Sequence, residues 1–227
     1  MGRPTLPLRT YIDRLRAKYG RPKRPIPSGP FEWIIWEHIG DNSDDEQRAV
    51  AFRALRQKLG TTPQAILGAA KGVITPLLDL AGPNSGKRLE QLRKASQVMI
   101  EIGLARLRTL VRENPAEAKK LIKKFPGVGE PGADRILLFC KSMAGLAPDP
   151  HGARVLSRLG YGKPGSSFPI VYEHVTAAIQ PELPRDYNWL VQAHQLLRRH
   201  GVELCRSSSP RCGECPLAAD CDWYQSH

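Results

Sequence analysis

Four of the five cysteines lie within the last 23 residues, at Cys205, Cys212, Cys215 and Cys221, with the spacing C-x6-C-x2-C-x5-C. Thiols crowded in this way cannot staple a fold together. They suit a local metal site, and by chemistry alone a zinc ion or an iron–sulfur cluster serves equally well. The fifth, Cys140, continues the helical stripe Ala133, Ile136 and Leu137 and reads as core.

Three other places could do chemistry. The turn Pro126-Gly127-Val128-Gly129 joins two short helical patterns. Glycine lets backbone approach a ligand closely, and the first N–H groups of the following helix carry partial positive charge, so a phosphate fits there without base contacts. The same turn also serves as a plain helix connection. Asp149 precedes Pro150 and a run whose Val155, Leu156 and Leu159 mark one helical face, which makes it a natural N-cap. A helix N-terminus also keeps a carboxylate ionised when it is partly desolvated, so the cap and a functional charge are compatible. Glu37 lies within PFEWIIWEHIG, a helical run that is apolar nearly all round. A carboxylate there needs either an ordinary ion-pair partner or a polar pocket to line.

The elements that must position these groups are helical. No alternating pattern of useful length occurs, and the chain reads as all-α, long enough for one large core or for two helical lobes flanking a cleft. Helices are expected from Pro30 to Ile39, from about Asp44 to Leu59, from Pro63, after Asn84-Ser85 and around Leu107 to Val111. Asn114-Pro115-Ala116-Glu117 is a compact helix start, and a second short helix follows the glycine turn, with Pro131 suited to its first position. Residues 1–29 read as a basic arm with one short helix between Tyr11 and Tyr19, either solvated or touching phosphates. Beyond the arm, 30–113 forms a mainly helical lobe, 114–160 the two-helix turn with Asp149, and 161–227 the last helices with the cysteine loop. This last segment is expected to pack with the arm into a second lobe.

Composition points to the partner. Thirty-four Lys and Arg against 22 Asp and Glu leave a formal charge of +12 over 227 residues, the footprint of a protein that meets a polyanion. The N-terminus lacks the apolar core of a signal peptide and no apolar run is long enough to span a bilayer, so an intracellular protein is expected, in the cytoplasm or nucleoid if prokaryotic, without a membrane partner.

LIKKFPGVGEPGADRILLF, followed by PDPHGARVLSRLG, resembles the helix-hairpin-helix and catalytic-aspartate region of the endonuclease III superfamily of DNA glycosylases. The cysteine spacing is similar to that of the family's 4Fe-4S loop, and the motifs keep the family's order over roughly residues 30 to 223. The resemblance implies a 4Fe-4S cluster on Cys205, Cys212, Cys215 and Cys221, with Arg206 and Arg211 projecting from the tied loop toward phosphates. It implies a monomer that bends double-stranded DNA, turns a damaged or mispaired nucleotide into a pocket and cuts its N-glycosidic bond. Gly127, Val128 and Gly129 would then hold DNA, Asn42 would occupy the place of a wedge residue, and Asp149 would supply the charge that stabilises developing positive charge at C1′.

Two departures bear on mechanism. Members that also cleave the strand carry a lysine amine where this chain has Pro131, so a monofunctional enzyme using water is expected, with strand cleavage weak or absent. Lys123, Lys124 or Lys141 could substitute in principle, without support from their spacing. Glu37 matches the glutamate with which the adenine-mismatch branch protonates a purine, but the Gln-Gln-Thr segment usual beside it is missing. Adenine, thymine or uracil opposite guanine, and oxidised or alkylated bases all stay open, as does a lesion-binding protein that no longer cuts.

Overall fold

The computed structural model describes residues 4, 6–23, 26–40 and 45–226. Among them there is no strand, and α-helices joined by short turns account for the architecture. The chain divides into two compact units: Pro25–Ser142, and a second made of Met1–Arg24 together with Met143–His227. The boundary falls inside the stretch 114–160, leaving the glycine turn in the first unit and Asp149 in the second.

The N-terminal segment is more than a solvated arm. Its helix α1 (Leu8–Tyr19) buries Leu8, Tyr11, Ile12 and Leu15 completely, and these recur at the i, i+3, i+4, i+7 spacing of one helical stripe. At roughly 1.5–3 kcal/mol for each large apolar side chain removed from water, that stripe outweighs the pull of the surrounding arginines toward solvent.

The unit Pro25–Ser142 is built on α2 (Pro30–Ile39), whose Phe31, Trp33, Ile34, Ile35 and Ile39 are all buried. Around it pack α3 (Asp45–Lys58), α6 (Ser85–Ile102), α7 (Leu104–Glu113) and α9 (Glu130–Phe139). Trp33 stacks on Phe139 at 4.2 Å, and Trp36 meets Phe52 edge-on at 5.6 Å. The short α4 (Pro63–Gly68) and α5 (Lys71–Asp79) lie against α6. Thr62 caps α4 by accepting from the Ala65 N–H at 3.2 Å. Next, α8 (Pro115–Ile122) is capped by Asn114, whose side chain accepts from the Glu117 N–H at 3.2 Å. Gly127 turns the chain at a φ of 71°, a backbone region that glycine enters without penalty, and α9 begins directly after Gly129. Pro131 is the second residue of α9 rather than its first, and its missing N–H is one the helix leaves unbonded in any case.

In the other unit α1 is joined by α10 (Pro150–Arg158), α11 (Phe168–Ile179), α12 (Tyr187–Glu203) and α13 (Asp222–Gln225). The crossing of α10 and α12 is the tightest feature. A Cβ at Gly201 would stand 2.6 Å from the His151 carbonyl oxygen, so only glycine lets α12 pass this close to the first turn of α10.

Candidate functional site

The close crossing brings a charged cluster to the start of α10. Asp149 caps the helix by accepting from the Gly152 N–H at 2.8 Å, and its other carboxylate oxygen is ion-paired with Arg198 of α12. His194, one turn before Arg198, donates from Nδ1 to the Ala147 carbonyl at 2.9 Å and so fixes the segment that leads into Asp149. Asp149 is 4 % exposed. Burial works against its charge, but Arg198, His194 and the Gly152 N–H together outweigh that cost and hold the carboxyl at about 2. The group is therefore a fixed negative charge at neutral pH and a weak proton acceptor. It stabilises nearby positive charge far better than it moves a proton.

Glu37 belongs to the other unit and is also ion-paired. Arg135 of α9 donates to it at 2.6 Å, and Arg48 of α3 lies 3.8 Å away, stacked over Trp36 at 4.6 Å and bonded to the Trp36 carbonyl. This is the geometry of a carboxylate held as an acceptor between guanidinium groups.

The glycine turn presents the N-terminal end of α9, with Gly127 and Gly129 exposed and Val128 buried as its anchor. Two lysines around it are committed. Lys119 is ion-paired with Glu130 and with Asp134, the latter at 2.6 Å, and Lys123 pairs with Glu130 at 2.6 Å. Burial opposes the Lys119 charge, but its bonds to Asp134 and Glu130 prevail and raise its pKa above the ordinary lysine value. An amine kept protonated in this way is a poor nucleophile. Lys124 and Lys141 are both exposed.

Cys205, Cys212, Cys215 and Cys221 line one small pocket, walled by Leu204, Trp223 and Arg158. Burial pushes the Cys215 thiol up to about 11, so thiolates here need a cationic group to hold them. Among the described residues no three His, Cys, Asp or Glu side chains are placed to hold a metal ion, although these four thiols surround one space. Four thiols are donors that suit a zinc ion or an iron–sulfur cluster. Arg158, at the far end of the helix that Asp149 caps, donates to Cys205 Sγ at 3.3 Å and to the Arg206 carbonyl at 2.7 Å, and stacks over Trp223 at 4.3 Å. Arg206 is exposed, and Arg211 is exposed and paired with Glu214 at 2.9 Å. Asn42 lies outside the described residues.

Sequence reasoning did not single out Arg198, His194, Arg135 or Arg48. Arg198 stands 49 residues from Asp149, and the i, i+4 spacing of His194 and Arg198 carries a signal only once α12 is known to cross α10.

No family profile matches the chain. Endonuclease III of Bacillus subtilis is 34% identical over 196 residues, 86% of this chain and 82% of that one. Endonuclease III of Sulfolobus acidocaldarius is 25% identical over 195 residues, again 86% of this chain and 82% of the other. With endonuclease III of Rickettsia conorii the match is 36% over 110 residues, about half of either chain. A solved structure of a trapped endonuclease III–DNA covalent intermediate superposes with a TM-score of 0.72 at 20% identity, covering 96% of each chain. A thermostable thymine-DNA glycosylase does so with a TM-score of 0.67 at 18% identity, covering 97% of each.

Proposed function

Because the chain belongs to the endonuclease III superfamily of helix-hairpin-helix DNA glycosylases, we propose that it excises a damaged or mispaired base from double-stranded DNA by hydrolysis, without a covalent amine intermediate. The observation that carries this reading is Asp149: a buried carboxylate kept ionised by Arg198, His194 and a helix N-terminus, at the position matching the family's aspartate. Its charge would stabilise the oxocarbenium character at C1′ as the base leaves, and its low pKa suits electrostatic stabilisation better than proton abstraction.

Two features support hydrolysis over strand cleavage. Pro131 stands where lyase members carry their amine, and Lys119 and Lys123 are tied to carboxylates. The glycine turn at Gly127 to Gly129 would receive a DNA phosphate on the N–H groups that open α9. The net charge of +12 would supply the salt-dependent part of the affinity.

Glu37 is better placed as an internal ion-pair acceptor for Arg135 and Arg48 than as a proton donor to a purine. The four cysteines Cys205, Cys212, Cys215 and Cys221 would hold the family's 4Fe-4S cluster. When bound, that group supplies a rigid cross-link for a loop that carries Arg206 and Arg211.

A second reading has one observation in its favour. The Arg198 guanidinium beside Asp149 offsets part of its field, as would suit a lesion-binding protein that does not cut. A panel of duplexes, each with one lesion or mismatch, separates the two. Base release with strand breaks only after alkali supports the monofunctional glycosylase; breaks without alkali overturn its monofunctional character. No release from any duplex that the protein binds supports the second reading.

A further inference from the structure

His200 is 1 % exposed and lies at the C-terminal end of α12, just before the first cysteine of the loop. Its two ring nitrogens face different parts of the unit. Nε2 stands 3.4 Å from Cys215 Sγ, and Nδ1 stands 3.0 Å from the hydroxyl of Tyr19, the last residue of α1. The Tyr19 ring packs edge-on against the imidazole at 6.0 Å, and the Arg199 guanidinium covers its face at 4.7 Å. The end of α1 is fastened to the same loop elsewhere. Lys18 donates to the Glu214 carbonyl at 3.1 Å, and Arg14 pairs with Asp220 at 2.5 Å.

The chemistry of a ligated cysteine orders this chain of contacts. A thiolate bound to metal has no proton and can only accept, so His200 Nε2 must carry the hydrogen that points at Cys215. Nδ1 then bears a lone pair, and the Tyr19 hydroxyl donates to it. We propose that Tyr19 and His200 form a positioning pair that donates an N–H···S hydrogen bond to Cys215 and thereby sets the electron density of the iron–sulfur cluster, an inference that rests on the cofactor reading above. Tyr19 acts through His200: it selects the tautomer and holds the ring plane. Hydrogen bonds to cluster sulfurs favour the reduced, more negative state, so removing this one lowers the reduction potential. Because Tyr19 lies 181 residues from His200, the pair makes the N-terminal helix part of the cluster's surroundings.

The test compares the purified parent with Tyr19→Phe, His200→Leu, His200→Gln and the double variant Tyr19→Phe/His200→Leu. The readouts are midpoint potential by protein-film voltammetry and Fe–S(Cys) stretching frequencies by resonance Raman. Tyr19→Phe keeps the ring packing and removes only the hydroxyl. It should lower the potential and raise the stretching frequency, and His200→Leu should do the same more strongly. His200→Gln, which retains a donor, should recover part of the change, and the double variant should match His200→Leu alone. A cluster-loaded Tyr19→Phe protein with the parent's potential and spectrum overturns the proposal, even if the His200 variants fail to load a cluster. A parent protein that contains zinc and shows no iron–sulfur absorbance overturns the cofactor reading together with the pair's role, so the two failures are told apart.

Discussion

Asp149→Asn separates the helix cap at Asp149 from the catalytic charge proposed for it. Asparagine caps a helix about as well as aspartate, so the bond from the Gly152 N–H survives while the charge is lost. The stability cost follows from the ionisation. A carboxyl moved from its ordinary 3.8 to about 2 by folding contributes, at 1.36 kcal/mol per pH unit, roughly 2.5 kcal/mol. Since the folded-state value is the lower one, that contribution is complete above about pH 4 and disappears as the pH falls through about 2. At neutral pH the variant should therefore melt several degrees below the parent and remain folded. The catalytic cost is larger. A unit charge about 4 Å from a developing cation, at an effective dielectric of about 20, contributes on the order of 4 kcal/mol, or about a thousandfold in rate. Single-turnover excision on a cleavable duplex should fall by about three orders of magnitude, with DNA affinity by fluorescence anisotropy changed by less than about threefold. A variant that excises within tenfold of the parent would show that the charge of Asp149 is not used, and that the residue is a cap and nothing more.

Four further outcomes are expected. Borohydride should trap no covalent complex between the parent and a lesion duplex; a trapped adduct would mean that some lysine supplies an amine despite Pro131. Glu37→Gln leaves Arg135 and Arg48 facing a neutral amide, and loss of this half-buried ion pair should lower stability by about 1–3 kcal/mol in a denaturant titration. Its excision rate should stay near the parent's, and abolished excision in a folded variant would restore Glu37 to the chemistry. Gly201→Ala places a methyl group within 2.6 Å of the His151 carbonyl oxygen, which should force α10 from α12 and reduce both melting temperature and excision; an unchanged protein would show that the crossing is not tight. Elemental analysis should find about four irons per chain and no stoichiometric zinc.

What the sequence made legible was local. The Asn114 cap, the glycine turn, the Asp149 cap and the crowding of four cysteines each depend on residues within a few positions of one another, where backbone stereochemistry and ligand spacing act directly. Helix α1 was readable in principle from Leu8, Tyr11, Ile12 and Leu15, but interleaved arginines and nearby prolines gave the segment the look of a basic arm. Helix α5 is hard to see in the sequence, since Pro76 lies inside it, where proline normally ends a helix.

The partners of the two carboxylates show where such reading stops. Asp149 is buried and Glu37 half-buried, both beside arginine; the sequence marks Asp149 as a cap but shows none of these arginine partners. Their difference is architectural. Glu37 stands in the last turns of α2, where the helix dipole opposes its charge and two arginines must supply the compensation. Asp149 stands at the start of α10, where the dipole and the Gly152 N–H favour the charge, and Arg198, its strongest partner, is joined by His194 in offsetting burial. Removing Arg198 should therefore leave Asp149 ionised at neutral pH and less shielded. Arg198→Gln is expected to lower stability while keeping, or raising, the excision rate of each folded molecule. If excision instead collapses in folded Arg198→Gln protein, the guanidinium itself takes part in the reaction, and the division between a charge that acts and a charge that only supports it would have to be redrawn.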